Sequence, residues 1–220
     1  MKCSWIKALV GSFVFFGLVF SGFAQQKTVV EQWLTKGDST VLFSKQPNKL
    51  SFGTSSALPG IITIDEDQSY QQIDGFGFAL TQGSAMHLLR MSAAKRATIL
   101  RELFDTAGNN IGISYMRLSI GASDLNEKIF SYNDLPPGQT DTALAQFDLG
   151  PDRGDVIPVM KEILRINPAI KIMGSPWSPP AWMKTNNDTR GGRLKKVYFP
   201  VYAKYLLRYI QEMKKEGITI

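Results

Sequence analysis

The segment IKIMGSPWSPPAWMKTN, residues 170–186, passes from a short apolar run into a loop with two tryptophans and three prolines. The apolar run, residues 170–173, predicts a β-strand that ends where the prolines begin. Because each proline fixes its φ angle, the loop is stiff, and Trp177 and Trp182 lose little conformational freedom when a ligand binds. In parallel β/α proteins the sites lie beyond the carboxyl ends of the strands, and this loop stands in that position.

The rest of the sequence continues this alternation of strands and helices. Strands are predicted at residues 72–77, 113–120, 170–173 and 218–220. Helices are predicted from a Ser92 cap to Gly108, over residues 155–166, and from Pro200 to Gly217. The alternation predicts a parallel β/α architecture, for which an open doubly wound sheet and an eight-stranded barrel are the two forms.

We interpret residues 71–220 as the front half of a (β/α)8 TIM barrel. A complete barrel takes about 250 residues, so length alone favours the open sheet, whereas the sequence stops three residues into a predicted strand. Residues 25–70 are assigned to a side β-domain. Its short strands are predicted at residues 41–43, 49–52 and 60–64.

The N-terminus, residues 1–24, has the layout of a secretory signal peptide. Lys2 and Lys7 precede an apolar run at residues 8–20, and a small residue, Ala24, marks the expected cleavage point. Cleavage there makes the mature protein secreted or periplasmic, with no stable membrane anchor. An uncleaved anchor is the alternative, although the run is shorter than the roughly 20 residues that span a bilayer.

The composition argues against several classes of function. The sole cysteine, Cys3, leaves with the signal peptide, so the mature chain has neither a disulfide nor a thiol nucleophile. The sole histidine, His87, is predicted to be a surface or core residue, which argues against a His-rich metal site. Removing Lys2 and Lys7 lowers the formal net charge from +6 to +4, which gives little reason to invoke nucleic acid. We therefore expect no metal, no cofactor and no nucleic acid partner.

Side chains near the first two predicted strand ends are candidates for a binding site. In residues 113–120 alternate side chains face opposite sides, so Arg117 would point into the site unless it forms a structural ion pair. Phe78 stands beside Gly75 and Gly77, and it either lines a pocket or packs a tight turn.

Further candidates lie in the loops after the second and third of these strands. Asp124 either accepts hydrogen bonds from hydroxyl groups at the mouth of the barrel or caps a turn. Trp177 and Trp182 offer rigid indole faces that suit the flat C–H faces of sugar rings. Of the two indoles, we expect Trp182 to be the one that plugs the barrel rim.

Three motifs, in this order and spacing, resemble glycoside hydrolase family 30, which includes lysosomal glucocerebrosidase and the β-1,6-glucanases. They are IDGFGFALT at residues 73–81, ISYMRLSIGASD at residues 113–124, and SPWSPPAWMKTN at residues 175–186. The resemblance implies a (β/α)8 barrel with a β-rich side domain and retaining hydrolysis of β-glycosides. It also implies substrate-binding roles for Asp124 and Trp177, with Arg117 bracing the catalytic glutamate and Asn186 near the site.

The resemblance identifies no catalytic residue in this sequence. In the family the acid/base glutamate follows an asparagine at the end of strand four, and the nucleophile ends strand seven. Glu127 follows an asparagine but lies in the loop after the second strand, so we do not assign it either role. Both glutamates are expected beyond Ile220, and the chain is expected to be an inactive fragment by itself.

The function implied is that of a glucosylceramidase-like β-glucoside hydrolase, with a carbohydrate or a glycolipid such as glucosylceramide as its substrate. An endo-β-1,6-glucanase or a xylanase is the alternative within the family. A non-catalytic, vestigial carbohydrate-binding product is the alternative outside enzymes.

Overall fold

A computed structural model describes residues 29–51 and 62–220 of the chain. The chain divides into two compact units, Met1–Asp65 and Glu66–Ile220. The predicted signal peptide and the start of the strand predicted at residues 60–64 lie outside the described residues. In the parts of the chain that are described, no helix has the length and apolar character needed to cross a membrane.

In its described residues, 29–51 and 62–65, the first unit contains four two-residue strands, paired antiparallel. Strand β1 (Val29–Val30) pairs with β4 (Leu50–Ser51), and β2 (Trp33–Leu34) pairs with β3 (Ser44–Lys45). The strand predicted at residues 41–43 is wrong, because Phe43 has a φ angle of 39° and extended pairing begins only at the next residue. In this unit Trp33 stacks on Phe43, with 5.0 Å between ring centroids.

The second unit is built on a parallel sheet in the order β5-β6-β7. Its strands are β5 (Gly77–Leu80), β6 (Tyr115–Ile120) and β7 (Lys171–Pro176). The register places Arg117 between Ala79 and Met173, and the last pair of the ladder joins Ile120 to Pro176. The third strand thus extends three residues beyond the predicted apolar run.

The first strand of this sheet begins at the glycines where the sequence predicted it to end. A side chain at Gly77 would place its Cβ 1.5 Å from the Tyr115 carbonyl oxygen, so only glycine allows the two strands to approach here. Just before it, the Phe76 carbonyl accepts hydrogen bonds from the Ser114 and Tyr115 amides, both at 3.1 Å. The prediction of a strand at residues 72–77 is therefore wrong in its bounds.

Four α-helices pack around the sheet: α1 (Gln82–Arg90), α2 (Ala93–Phe104), α3 (Val156–Ile166) and α4 (Phe199–Lys215). Ser92 is the N-cap of α2, as the sequence predicts, and Asp155, where the next helix was predicted to begin, is the N-cap of α3. No separate helix was predicted where α1 lies. Thr81 is the N-cap of this helix, and His87 is exposed in its last turn.

The two faces of the sheet have different surroundings. Met116, Leu118 and Ile120 of β6 are buried on the side covered by helices, which confirms the predicted alternation. On the opposite side Arg117 and Met173 are exposed. In a closed barrel this second face is the interior.

The strand predicted at residues 218–220 is absent from the described sheet, because these residues form no ladder with β7. Ile218 is nevertheless fully buried. A Cβ added at Gly174 of β7 would lie 3.3 Å from a methyl carbon of Ile220. Side-chain packing, without backbone pairing, therefore holds the end of the chain beside the sheet.

A buried aromatic cluster joins the loop after β6 to helix α4. Tyr132 stacks on Tyr209, with ring centroids 5.5 Å apart and planes 8° apart. The Tyr132 hydroxyl donates a 2.6 Å hydrogen bond to the buried Asp152 carboxyl. Burial raises the pKa of Asp152 to about 7, although the Tyr132 hydrogen bond acts in the opposite direction.

We predict that Asp152→Asn removes a pH-dependent loss of stability. Because the pKa of Asp152 is higher in the folded chain than the ordinary 3.8, its contribution is fully present below 3.8 and is lost as the pH rises toward about 7. The slope is at most about 1.4 kcal/mol per pH unit, the value for one titrating group. Urea unfolding followed by circular dichroism should show a flatter pH profile for the variant and higher stability above neutral pH. An unchanged profile would contradict this assignment.

Candidate functional site

The candidate site is formed by the loops that leave the carboxyl ends of β6 and β7. Because Ile120 pairs with Pro176, Gly121 and Trp177 are the first residues beyond the sheet on neighbouring strands. Gly121 has a φ angle of 81°, and a side chain there would place its Cβ 3.2 Å from the Phe130 carbonyl oxygen. Glycine therefore allows the loop to turn sharply at the edge of the sheet.

Asp124 lies at the tip of a tight turn in the first of these loops. The Asn126 side-chain oxygen accepts hydrogen bonds from the amide and the hydroxyl of Ser123, both at 2.8 Å, and the Ser123 hydroxyl accepts one from the Leu125 amide at 3.2 Å. These bonds fix the turn without using the Asp124 carboxylate. Asp124 is exposed, and its side chain makes no hydrogen bond or ion pair within the described part of the chain. The carboxylate is thus free to accept hydrogen bonds from a ligand.

Trp177 is exposed over 44% of its surface and borders a small cavity of about 120 Å³. The opposite wall of this first cavity comes from the loop after β6. Its lining includes Ala122, Phe130, Ser131, Trp177, Pro179 and Arg190. Asp124 is not in the lining but follows Ala122 by two residues on the same loop.

Two lysines that the sequence did not single out brace the loop carrying Trp177. The buried Lys184 Nζ donates to the Thr189 carbonyl at 2.6 Å and to the Ser178 hydroxyl at 3.2 Å. Burial lowers the pKa of Lys184, with Asp188 acting in the opposite direction. Lys195 Nζ donates to the Trp182 carbonyl at 3.3 Å. Only the tertiary structure shows that these cations turn inward to satisfy loop carbonyls.

Trp182 is a structural residue, so its inclusion among the substrate-binding candidates is corrected. The side chain is 7% exposed, and its indole N–H donates to both the carbonyl and the side-chain oxygen of Asn133, each at 3.1 Å. Its ring packs edge-on against Tyr198, with centroids 5.0 Å apart. An indole that is buried, with its N–H bonded to Asn133, serves mainly to hold the two loops together, as expected for the residue that plugs the rim.

Asn186 uses its side chain to shape its own loop. Its Nδ2 donates to the Arg190 carbonyl at 2.7 Å, and its Oδ1 accepts from the Asp188 amide at 3.3 Å. A side chain at Gly192 would collide with the Asn186 amide, which explains why a glycine stands there. The structure therefore places Asn186 in loop formation, and its role near the substrate stays a prediction.

Arg117 lies in the middle of β6 on the face without helices. It is exposed and forms no ion pair or hydrogen bond among residues 29–51 and 62–220, so the structural ion pair considered from the sequence is absent there. Together with Tyr115, Met173 and the glycines at 75 and 77, it lines an open hollow of about 480 Å³. The guanidinium is thus available to a partner on this face.

Phe78 lies within β5 rather than in a loop beyond it, which corrects the basis on which it was a candidate. In the register it is level with Met116, whose side chain is buried among the helices. The Phe78 ring lies 6.0 Å from the ring of Phe104 in α2. Phe78 is nevertheless 43% exposed and belongs to the lining of the same open hollow as Arg117, so its role as a pocket residue stays a prediction.

Comparison with known proteins shows which family this chain resembles in sequence and structure. The sequence profile of the glycosyl hydrolase family 30 TIM-barrel domain matches residues 73–220. An endo-1,6-beta-D-glucanase of Neurospora crassa is 37% identical over 166 residues, which make up 72% of this chain and 34% of the glucanase. The lysosomal acid glucosylceramidase of Mus musculus is 27% identical over 165 residues, or 72% of this chain and 31% of that protein.

The solved structure of the endo-beta1,6-glucanase BT3312 superposes with a TM-score of 0.69 at 31% identity, covering 87% of this chain and 41% of that one. These matches confirm the prediction of a partial (β/α)8 barrel. The chain spans about a third of the length of the two relatives named above.

We predict that Trp182→Phe lowers stability while leaving the sugar affinity of the folded protein unchanged. Phenylalanine keeps the aromatic contact with Tyr198 but removes the N–H that serves Asn133, at a cost of about 1–3 kcal/mol. Urea unfolding and calorimetric titration with a β-linked glucose disaccharide measure the two effects. Trp33→Phe, a change in the other unit, is the control. Loss of affinity with unchanged stability would return Trp182 to the binding site.

Proposed function

The chain belongs to glycoside hydrolase family 30, and we propose that it supplies the sugar-binding wall of a secreted retaining β-glycosidase. The substrate class is a β-linked glucoside, either a β-1,6-glucan or a glycolipid such as glucosylceramide. The first three strands of the barrel, with the loops at their carboxyl ends, hold the sugar whose glycosidic bond is cleaved.

The observation that carries the proposal is that a half-exposed indole and a free carboxylate stand on neighbouring loops at one edge of the sheet. A pyranose has flat C–H faces and a rim of hydroxyl groups, so it binds well where a rigid aromatic ring lies near a hydrogen-bond acceptor. Trp177 offers the ring on a loop stiffened by prolines and by Lys184. Asp124 offers the acceptor on a turn whose internal bonds leave its carboxylate free.

Retaining hydrolysis needs two carboxyl groups about 5–5.5 Å apart, one as acid/base and one as nucleophile. We propose that both are glutamates beyond Ile220, in the part of the family barrel that this chain does not span. In this proposal Arg117 binds one of the catalytic glutamates. Its guanidinium, unpaired in the described chain, would lie inside the closed barrel and keep the neighbouring carboxylate ionised and in place. Asp124 then binds hydroxyl groups and takes no part in proton transfer.

Two further features refine the proposal. Secretion is supported by the basic, apolar and small-residue order of residues 1–24. A β-1,6-glucan is favoured over glucosylceramide because the glucanase of Neurospora crassa is 37% identical to this chain, whereas a putative glucosylceramidase of Caenorhabditis elegans is 32% identical and the mouse enzyme 27%.

We predict that Trp177→Ala lowers kcat/KM for β-1,6-linked glucose oligosaccharides about tenfold or more, because the stacking surface for the sugar is lost. The measurement is hydrolysis by the full-length protein, with proton NMR to show that the first product retains the β configuration. Trp33→Ala removes an indole of similar exposure from the other unit and should leave kcat/KM unchanged.

Either of two results would overturn the proposed function. One is a full-length wild-type protein that hydrolyses no β-glucoside. The other is a Trp177→Ala variant as active as the wild type.

A further inference from the structure

A second cavity, of about 360 Å³, is lined by residues of the same two loops as the site described above. One wall is the turn at residues 135–140, in the loop after β6. The other wall is formed by Ala181, Trp182, Asn187 and Lys195, in the loop after β7. The family-derived roles for Asp124, Trp177 and Arg117 do not involve this cavity.

Both walls of the second cavity are held in shape before any ligand arrives. In the first, the Gln139 amide donates to the Pro136 carbonyl at 3.1 Å, and Gly138 has a φ angle of 84°, which together form a tight turn with Pro137 at its second position. In the second, Asn187 has a φ angle of 49°, and its Oδ1 accepts a 3.2 Å hydrogen bond from Lys195 Nζ. A preformed cavity costs little ordering when a ligand binds.

The polar groups in this cavity suit a neutral ligand rich in hydroxyl groups. The Gln139 side chain and the Asn187 Nδ2 make no hydrogen bond within the described residues, so both amides are available to a ligand. Lys195 is the one charged side chain in the lining, and it already donates to Asn187 and to the Trp182 carbonyl. The rings of Pro136 and Pro137 supply an apolar surface beside these amides.

The two cavities lie in the same order along the same two loops. The first is bordered by residues 129–131 and 177–179, and the second by residues 135–140 and 181–182. The Trp182 indole, hydrogen-bonded to Asn133, joins the two loops. Both loops thus carry the two cavities in one sequence order, from Trp177 toward Trp182 on one loop and from Phe130 toward Pro136 on the other.

We propose that the second cavity is a distal subsite for a β-linked glucose oligosaccharide, in which Gln139 and Asn187 bind hydroxyl groups of a sugar unit remote from Trp177. The inference rests on the proposed function, since it extends the same substrate along the chain. If the second cavity binds sugar, the affinity of the protein for an oligosaccharide depends on the length of that oligosaccharide. A disaccharide occupies the first cavity alone, whereas a hexasaccharide reaches both.

The test is calorimetric titration of the full-length protein with a β-1,6-linked glucose disaccharide and the corresponding hexasaccharide. The wild type should bind the hexasaccharide more tightly than the disaccharide. The double variant Gln139→Ala, Asn187→Gly should lose about tenfold in hexasaccharide affinity and keep its disaccharide affinity. Glycine suits the positive φ angle at 187. Gln139→Ala alone, at an exposed side chain, serves if the glycine lowers stability.

Gln211→Ala on the exposed surface of α4 is the matched control and should change neither affinity. A double variant that binds the hexasaccharide as tightly as the wild type overturns the distal subsite and leaves the proposed function intact. Equal affinity of the wild type for the disaccharide and the hexasaccharide also overturns the distal subsite and leaves the proposed function intact. A wild type that binds neither saccharide overturns the proposed function, and the distal subsite with it.

Discussion

The hydrogen bonds from the Trp182 indole to Asn133 are the constraint that joins the two loops at the carboxyl edge of the sheet. They tie the loop after β6 to the loop after β7 through a buried side chain. Lys184 and Lys195 add bonds that keep the second loop in one conformation. These internal contacts stabilise both walls of the cavity that Trp177 borders.

The two faces of the sheet have different roles: one packs in the hydrophobic core, and the other carries the candidate functional side chain. Met116 and Leu118 pack against helices and belong to the hydrophobic core, while Arg117, between them, projects from the other face. This division follows from the period of two along a strand, which sends neighbouring side chains in opposite directions. In the closed barrel of the family, the open face becomes the interior, where an arginine requires a partner of opposite charge.

Much of this arrangement could be predicted from the sequence, because caps and alternation are local signals. Ser92 and Asp155 marked two helix starts, and the alternation in β6 placed Arg117 correctly. The start of β5 could not be predicted, because the need for Gly77 arises from a carbonyl on another strand. Nor could the inward turn of Lys184, because its acceptors are brought to it only by the folded loop.

The central claim is that one pyranose contacts both the Trp177 ring and the Asp124 carboxylate. A crystal structure of the full-length protein with a bound β-linked glucose oligosaccharide tests it most directly. We predict that a sugar ring stacks on the Trp177 indole, with one of its hydroxyl groups within hydrogen-bonding distance of the Asp124 carboxylate. A sugar bound with Trp177 bare, or with Asp124 out of reach, would contradict it.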